Sequence, residues 1–333
     1  MIRLESTGNK IVVVTGASGF LGRAFIQALN AAGYQVRALT RDARAGKIDG
    51  AFQTVVGDIL ESGIAERILD GAHGVAHLAG IVGKVGVAHS EYWQVHVTST
   101  RRLLEAARAN GLKKFLYCSS AAITGNIKTP PADETVQLAL SDIYDMTKAH
   151  GEITALAGGG RGKLEVTVVR PAVAYGPGDV RRLWFFRAIA SGRFTLMGNG
   201  ENLVHPVYID DLADGMLKAY EAPEAAGKIY ILGGEKYIKL KEWILLIAAQ
   251  VGVEPSFLKI PYYPARAAAY LCEKTFGLVG VSPPIYRRYT DFFMKNRAYS
   301  IALAKAELGY APKMGLEQGA AETLQWYRDN GMI

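Results

Sequence analysis

The first strong hydrophobic signal is the run Ile11-Val12-Val13-Val14-Thr15, which is short and apolar almost throughout. That pattern predicts a strand buried on both faces. Leu21, Ala24, Phe25, Ala28, Leu29 and Ala32 then recur at helical spacing, and Gly33 stops the helix. Residues 35–39, 53–56, 75–78, 115–118 and 166–169 read as further strands, with helical stretches between them, notably 98–110 ending at Gly111. This alternation predicts an α/β fold with right-handed crossovers and a doubly wound parallel sheet. After Pro171 the rhythm loosens. Gly176-Pro177-Gly178 and Gly198-Asn199-Gly200 are turns, residues 228–232 form one more strand, and the last third is mostly helical with proline breaks at Pro261, Pro264 and Pro283-Pro284. No linker or repeat separates the two parts.

Between the first strand and the first helix lies Thr15-Gly16-Ala17-Ser18-Gly19-Phe20-Leu21-Gly22. Gly16 permits the tight turn, Gly19 lets the backbone approach a pyrophosphate, and Gly22 allows close helix packing. The N–H groups of the helix start then face the anion. The sheet is therefore read as a Rossmann body over residues 1–175, binding a dinucleotide. A smaller, mostly helical substrate-binding region, 176–333, lies over its carboxyl edge, with residues 200–235 as candidates for further strands of the sheet. Cofactor choice falls at the end of the second strand, where a carboxylate would bond the ribose hydroxyls. This chain has Thr40-Arg41 there, with Arg37, Arg44 and Lys47 nearby. A guanidinium suits a 2′-phosphate, so Arg41 points to NADP(H), with NAD(H) the alternative. Arg44 and Lys47 read as a solvated charged loop. Asp58, in Gly57-Asp58-Ile59 after the third strand, is placed to accept from the adenine amino group.

Composition narrows the picture further. The chain has 333 residues, half of them hydrophobic, and a net charge of +7. Its basic residues are scattered, with short pairs at Arg101-Arg102, Arg181-Arg182 and Arg287-Arg288, which argues against nucleic acid and suits an anionic small molecule equally well. Cys118 and Cys272 cannot form a disulfide framework, so a reducing, cytoplasmic setting is expected. The start, Met1 to Ser6, lacks a signal-peptide stretch, and no apolar run reaches the ~18 residues of a spanning helix. His73, His89 and His150 show no metal-like grouping, and no metal site is expected.

Tyrosine with lysine four residues later puts both on one helical face. The chain has this three times: Tyr144/Lys148, Tyr237/Lys241 and Tyr270/Lys274. Only Tyr144 follows a serine-bearing loop, Ser119-Ser120, at the carboxyl end of a sheet strand, where ligands of doubly wound sheets bind. The other two are read as surface or packing residues. The chemistry suits hydride transfer at a carbon–oxygen unit, with Ser120 holding the oxygen and Tyr144 moving the proton. A nearby Lys148 ammonium is expected to stabilise phenolate and lower the tyrosine pKa.

Residues 15–22, Gly57-Asp58, His77-Leu78-Ala79-Gly80, Ser119-Ser120, Tyr144 to Lys148, and Arg170-Pro171-Ala172-Val173-Ala174-Tyr175-Gly176-Pro177-Gly178 together resemble an extended short-chain dehydrogenase/reductase over nearly the full length. Val207 to Ala213 and Leu308 to Pro312 also match. The resemblance implies a catalytic set of Ser120, Tyr144 and Lys148. It implies cofactor contacts from Gly16, Ser18, Gly19, Phe20, Leu21, Gly22, Arg41, Asp58, Ile59, Leu78, Ala79, Gly80, Tyr144, Lys148, Pro171 and Val173. It also implies a homodimer built on helices near 98–110 and 144–157. Two departures stand out: the family's usual Asn is His96 here, and His77 reads as structural.

Two branches share this machinery. One is similar to 3β-hydroxysteroid dehydrogenases and dihydroflavonol reductases. The other comprises nucleotide-sugar epimerases and dehydratases with retained NAD. Many epimerases carry a diphosphate-contacting Asn where this chain has Val173, and an Arg near the place of Val204-His205-Pro206; both are absent. Arg181, Arg182, Arg187 and Arg193 are other candidate phosphate contacts. Trp184-Phe185-Phe186, Tyr262-Tyr263, Tyr286, Tyr289 and Phe292-Phe293 suit an apolar pocket, although most are expected to form the small domain's core. Residues 262–281 read as a packed helix, with a membrane-surface contact as the alternative. The expected activity is an NADP(H)-preferring interconversion of a secondary alcohol and ketone. A nucleotide-sugar 4-epimerase or dehydratase is the first alternative and a non-catalytic dinucleotide sensor the second.

Overall fold

The computed structural model describes residues 10–43, 46–82, 86–160, 164–278, 285 and 287–333. Its strands are β1 (Ile11–Thr15), β2 (Gln35–Thr40), β3 (Gln53–Val56), β4 (Gly74–His77), β5 (Lys114–Cys118), β6 (Glu165–Pro171) and β7 (Val173–Tyr175). They continue with β8 (Arg193–Met197), β9 (Leu203–Val204), β10 (Pro206–Tyr208), β11 (Ile229–Leu232), β12 (Ile238–Lys239) and β13 (Ser256–Ile260). Seven of them form one parallel sheet in the order β11-β6-β5-β4-β1-β2-β3. The chain winds outward from β1 to β3, then restarts at β4 on the other side. The crevice between β1 and β4, at their carboxyl ends, is the topological switch point.

The helices are α1 (Phe20–Ala31), α2 (Ile64–Leu69), α3 (His89–Trp93), α4 (Ser99–Ala109), α5 (Ile143–Ala157) and α6 (Leu183–Ala190). They continue with α7 (Ile209–Glu221), α8 (Leu240–Val251), α9 (Tyr262–Leu278), α10 (Arg287–Phe292), α11 (Ala302–Leu308) and α12 (Leu316–Asp329). α1 buries Phe25, Ile26 and Leu29 with Leu212 and Met216 of α7 on one sheet face. α2, α4 and α5 cover the other face through Ile68, Leu103, Ala107 and Ala155. Each such large side chain removed from water stabilises by about 1.5–3 kcal/mol. β1 is apolar because both of its faces are covered.

Three features depart from the sequence reading. The helix expected over 98–110 is preceded by a π-helical turn, Gln94–Thr98, continuous with α3 and α4. Pro264 does not break the chain: it sits in the first turn of α9, where its missing N–H has no intrahelical partner to lose. Beyond residue 175 there are also short strand pairs, including the parallel pair β8 and β13. Pro283-Pro284, Tyr286, Arg44 and residues 1–6 lie outside the described residues, as does the end of the 262–281 stretch. Among the described residues no helix is long and apolar enough to cross a membrane.

Candidate active site

The residues named for the dinucleotide gather at the carboxyl edge of the sheet. Gly16 has φ 68°, and a Cβ there would lie 2.8 Å from the amide nitrogen of Ala79. Only glycine lets the loop after β1 touch the Leu78-Ala79-Gly80 loop after β4 so closely. Gly22 is likewise pressed against the Gly16 carbonyl. Gly19 is the N-cap of α1 and offers no capping side chain, which leaves the first amides of the helix open to an anion. Ser119, directly after β5, is buried, and its hydroxyl has no hydrogen-bond partner among the described residues. An open helix start, a cradle that a methyl group would fill and an orphaned hydroxyl together fit a bound dinucleotide.

At the end of β2, Arg41 is 62% exposed and lies 3.8 Å from Asp58 across the opening. Such an exposed pair is weak, so the guanidinium remains available to a phosphate. Asp58 also accepts from the Leu60 N–H at 2.9 Å, and Ile59 is buried behind it. Thr40 donates to the Ser18 hydroxyl at 3.3 Å, joining β2 to the glycine loop. Arg37 is committed elsewhere, donating to Gln53 and to the carbonyls of Ile68 and Asp70. Arg23, unmarked in the sequence, donates to the Ser18 carbonyl at 3.1 Å.

Ser120 and Tyr144 come together. β5 ends at Cys118, and Ser120 caps the short 3₁₀ turn Ala121–Thr124 by accepting from the Ala122 N–H at 3.2 Å. α5 begins at Asp142, whose carboxylate accepts from the Asp145 N–H at 2.8 Å. That cap sets the first turn, which carries Tyr144 towards the sheet edge. Lys148 lies one turn later, buried, and donates to the Cys118 carbonyl at 2.7 Å over the Tyr117 ring. Burial raises the Tyr144 pKa, with Arg288 and the Ser120 hydroxyl pulling it partly back. The expected lowering by Lys148 is thus corrected: desolvation outweighs the neighbouring charges, and burial lowers the lysine's own pKa. The phenol is protonated at neutral pH.

Two of the buried histidines, His96 and His77, flank the loop after β4, and both are neutral. The Ile81 N–H donates to His96 Nε2 at 2.9 Å, so Nδ1 carries the proton and donates to Thr147 at 2.8 Å. Burial, then Lys148, lowers its pKa to about 2. His96 thus keeps polar contacts on both sides, tying the π-turn to α5 and to the loop after β4. His77 contacts Thr15 at 2.8 Å and Ser99 at 3.2 Å, while Thr15 accepts from the Ala79 N–H. Burial lowers its pKa to about 3. It fixes the loop rather than touching a reacting atom. Among the described residues no metal-like cluster occurs.

Sequence reasoning missed Arg288. This α10 guanidinium sits 4.2 Å from the centre of the Tyr144 ring and pairs with Asp142 at 2.5 Å and Asp145 at 3.0 Å. Burial pushes its pKa down, but the two aspartates outweigh that and raise it. No local pattern marks a residue that reaches its partners across more than 140 positions of chain. The other tyrosine–lysine pairs lie away from the edge: Tyr237 is partly exposed, and Lys274 lies over the exposed ring of Tyr270. Phe185, Phe186, Phe292 and Phe293 are core around Trp243, whereas Trp184 is partly exposed against Tyr289. His205 is buried; its Nε2 donates to the Gly234 carbonyl at 2.8 Å and its Nδ1 accepts from the Tyr299 N–H at 3.3 Å.

Comparison with known proteins agrees with this geometry. Residues 12–233 match the NAD dependent epimerase/dehydratase family. The chain is 29% identical to a 2-alkyl-3-oxoalkanoate reductase of Stenotrophomonas maltophilia (strain K279a), over 92% of this chain and 96% of that protein. It is 26% identical to a 3-beta-hydroxysteroid dehydrogenase of Mycolicibacterium neoaurum, over 96% and 91%. The solved structure of gox2253 covers 98% of this chain and 100% of its own, with 28% identity and a TM-score of 0.80.

Proposed function

The chain belongs to the NAD dependent epimerase/dehydratase family, whose extended short-chain dehydrogenase/reductase enzymes depend on NAD(P), and from that premise we propose that it reduces a ketone to a secondary alcohol with NADPH. The observation that carries the reading is the buried, protonated Tyr144 facing Ser120 beside an uncapped dinucleotide cradle. When bound, the reduced nicotinamide supplies hydride to the carbonyl carbon. Ser120 holds the carbonyl oxygen, and Tyr144 gives that oxygen its phenolic proton as negative charge develops there. The new C–H bond takes the hydride pair and the new O–H bond takes the proton. Lys148, fixed by the Cys118 carbonyl, would hold the nicotinamide ribose. Pro171 and Val173 would line the same end.

Two residues favour a reductase over a diphosphate-sugar enzyme. Val173 cannot hydrogen-bond a phosphate, and His205 is neutral with both nitrogens committed to the backbone. Residues 1–175 form the dinucleotide-binding body and 176–333 the substrate region, with β11 and α7 rejoining the body. Arg41 selects NADP(H). In a binding titration Arg41→Ser is expected to reduce the NADPH-over-NADH preference about tenfold or more, the loss of a charge-assisted contact. The governing test is the nucleotide released by acid from purified protein. Little nucleotide, followed by tight NADPH binding, agrees with the proposal. One NAD per chain surviving dialysis would instead indicate an epimerase or dehydratase.

The outward face of α4 and α5 is the proposed homodimer surface. On α5 it exposes Met146 and Ile153, the last 59% accessible. Sedimentation is expected to give a dimer for the natural chain and a monomer for Ile153→Asp, because an unpaired carboxylate cannot be buried in an apolar interface. A natural chain that sediments as a monomer overturns this assignment.

A further inference from the structure

We propose that the substrate is a keto acid, its carboxylate held by Arg297 above the Ser120–Tyr144 pair; this rests on the reading of the site as a ketone reductase. Arg297 belongs to the segment between α10 and α11. Its N–H donates to the Leu203 carbonyl, beside the strand that leads to His205, and the neighbouring Asn296 and Ala298 carbonyls accept from Ile127 and Ala132 of the loop that follows Ser120. Two residues on, the Tyr299 hydroxyl donates to the Ala121 carbonyl at 2.9 Å, next to Ser120. The segment thus forms one wall of the cleft over the catalytic loop.

Arg297 is the cation left over in this wall. Its Nε is buried without a hydrogen-bond partner, and among the described residues its guanidinium makes no ion pair. Arg288 is neutralised by Asp142 and Asp145. Asp291, the acid whose charge feels Arg297, is already paired with Lys295 and Arg266. Close enough to feel the Arg297 charge is Arg182, half-buried, donating to the Ala174 carbonyl at 2.9 Å. Its pKa is lowered to about 10, first by burial, with Arg181 and Arg297 adding like charge. Arg181 and Arg182 therefore share one carboxylate, Asp179, which bonds Arg181 at 3.0 Å and lies 3.8 Å from Arg182, and Arg297 adds a further positive charge that Arg182 feels. A half-buried excess of positive charge is costly unless an anion completes it.

The chemistry favours a single carboxylate over a diphosphate. One free guanidinium fork matches one carboxylate bidentately. Arg181, by contrast, lies against Phe20 of the glycine loop, 5.3 Å from its ring centre, and so belongs to the cofactor side. Trp184 and Tyr289, with tilted rings whose centres are 4.6 Å apart, offer an apolar surface to the rest of the molecule. Nothing local in the sequence singles out Arg297, which lies in an unremarkable Lys-Asn-Arg stretch.

The test pairs 3-oxooctanoate with its methyl ester as NADPH-dependent substrates, and adds octanoate as an unreactive carboxylate for binding to the NADPH complex. The natural chain is expected to favour the acid over the ester about tenfold or more in kcat/KM. Arg297→Met is expected to bring that ratio near one and abolish octanoate binding, while Arg297→Lys, which keeps the charge, retains part of both. Melting curves establish that each variant is folded. Ester reduced as well as acid by the natural chain, or a ratio untouched by Arg297→Met, overturns the carboxylate site while leaving the reductase reading intact. Octanoate bound through Arg297 without turnover of any ketone supports the carboxylate site and counts against the reductase. Neither binding nor turnover removes both.

Discussion

Tyr144→Phe is expected to cut ketone reduction by about 10³-fold, within the range by which positioned proton donors accelerate such steps, while NADPH still binds. The substitution removes one oxygen and keeps the ring, so the edge contact with His96 and the stacking under Arg288 survive. The loss therefore reads the proton and not the packing. The pH dependence follows from the raised phenol pKa. Reduction needs the protonated phenol, so its rate is flat from neutral pH into the alkaline range and declines only above the tyrosine's pKa. Oxidation of the alcohol needs phenolate, so its rate climbs with pH over that range. Stopped-flow rates in both directions check the two slopes. A phenylalanine variant with rates within threefold of the natural chain would remove Tyr144 from the chemistry.

The parts of this molecule that local physics dictates were legible in its sequence. A strand buried on both faces must be apolar throughout, and β1 is. A loop that touches its neighbour at the Gly16–Ala79 distance must use glycine, and the triplet of glycines announces it. The Tyr144–Lys148 spacing puts both on one face of α5, and the serine loop before it marks which of three such pairs faces the sheet edge. What was not legible depends on distant chain. Arg288 reaches Tyr144 from after α9, where composition shows only scattered basic residues. The direction of the Tyr144 shift was misread because a lysine four residues away is visible in sequence, whereas the depth of burial is set by the whole fold. His96 looked like a lost asparagine, yet the structure gives it two partners that lie 15 and 51 residues distant.

The buried ion pair behind the catalytic helix should dominate stability. Arg170, near the end of β6, meets Glu152 of α5 through two contacts, at 3.0 and 2.5 Å, with both side chains under 5% exposed. Its third nitrogen donates to the Glu134 carbonyl, and the Glu134 side chain accepts from the Ile231 N–H of β11. One guanidinium thus anchors α5, the sheet edge and the loop before α5. Glu152 lies one turn after Lys148, so the pair also fixes the helix that presents both catalytic candidates. Glu152→Leu leaves the guanidinium buried without its counter-charge and is expected to cost about 3–5 kcal/mol, read as a drop in urea midpoint and a fall of roughly 5–10 °C in Tm. The double variant Glu152→Leu/Arg170→Met removes both charges and is expected to recover most of that loss, since a well-packed apolar pair of similar volume is often neutral relative to the ion pair. A single variant that melts with the natural chain would mean that water enters to solvate Arg170, and the anchoring of α5 would then have to come from Gly151, which lets the helix press directly against Tyr117 of β5.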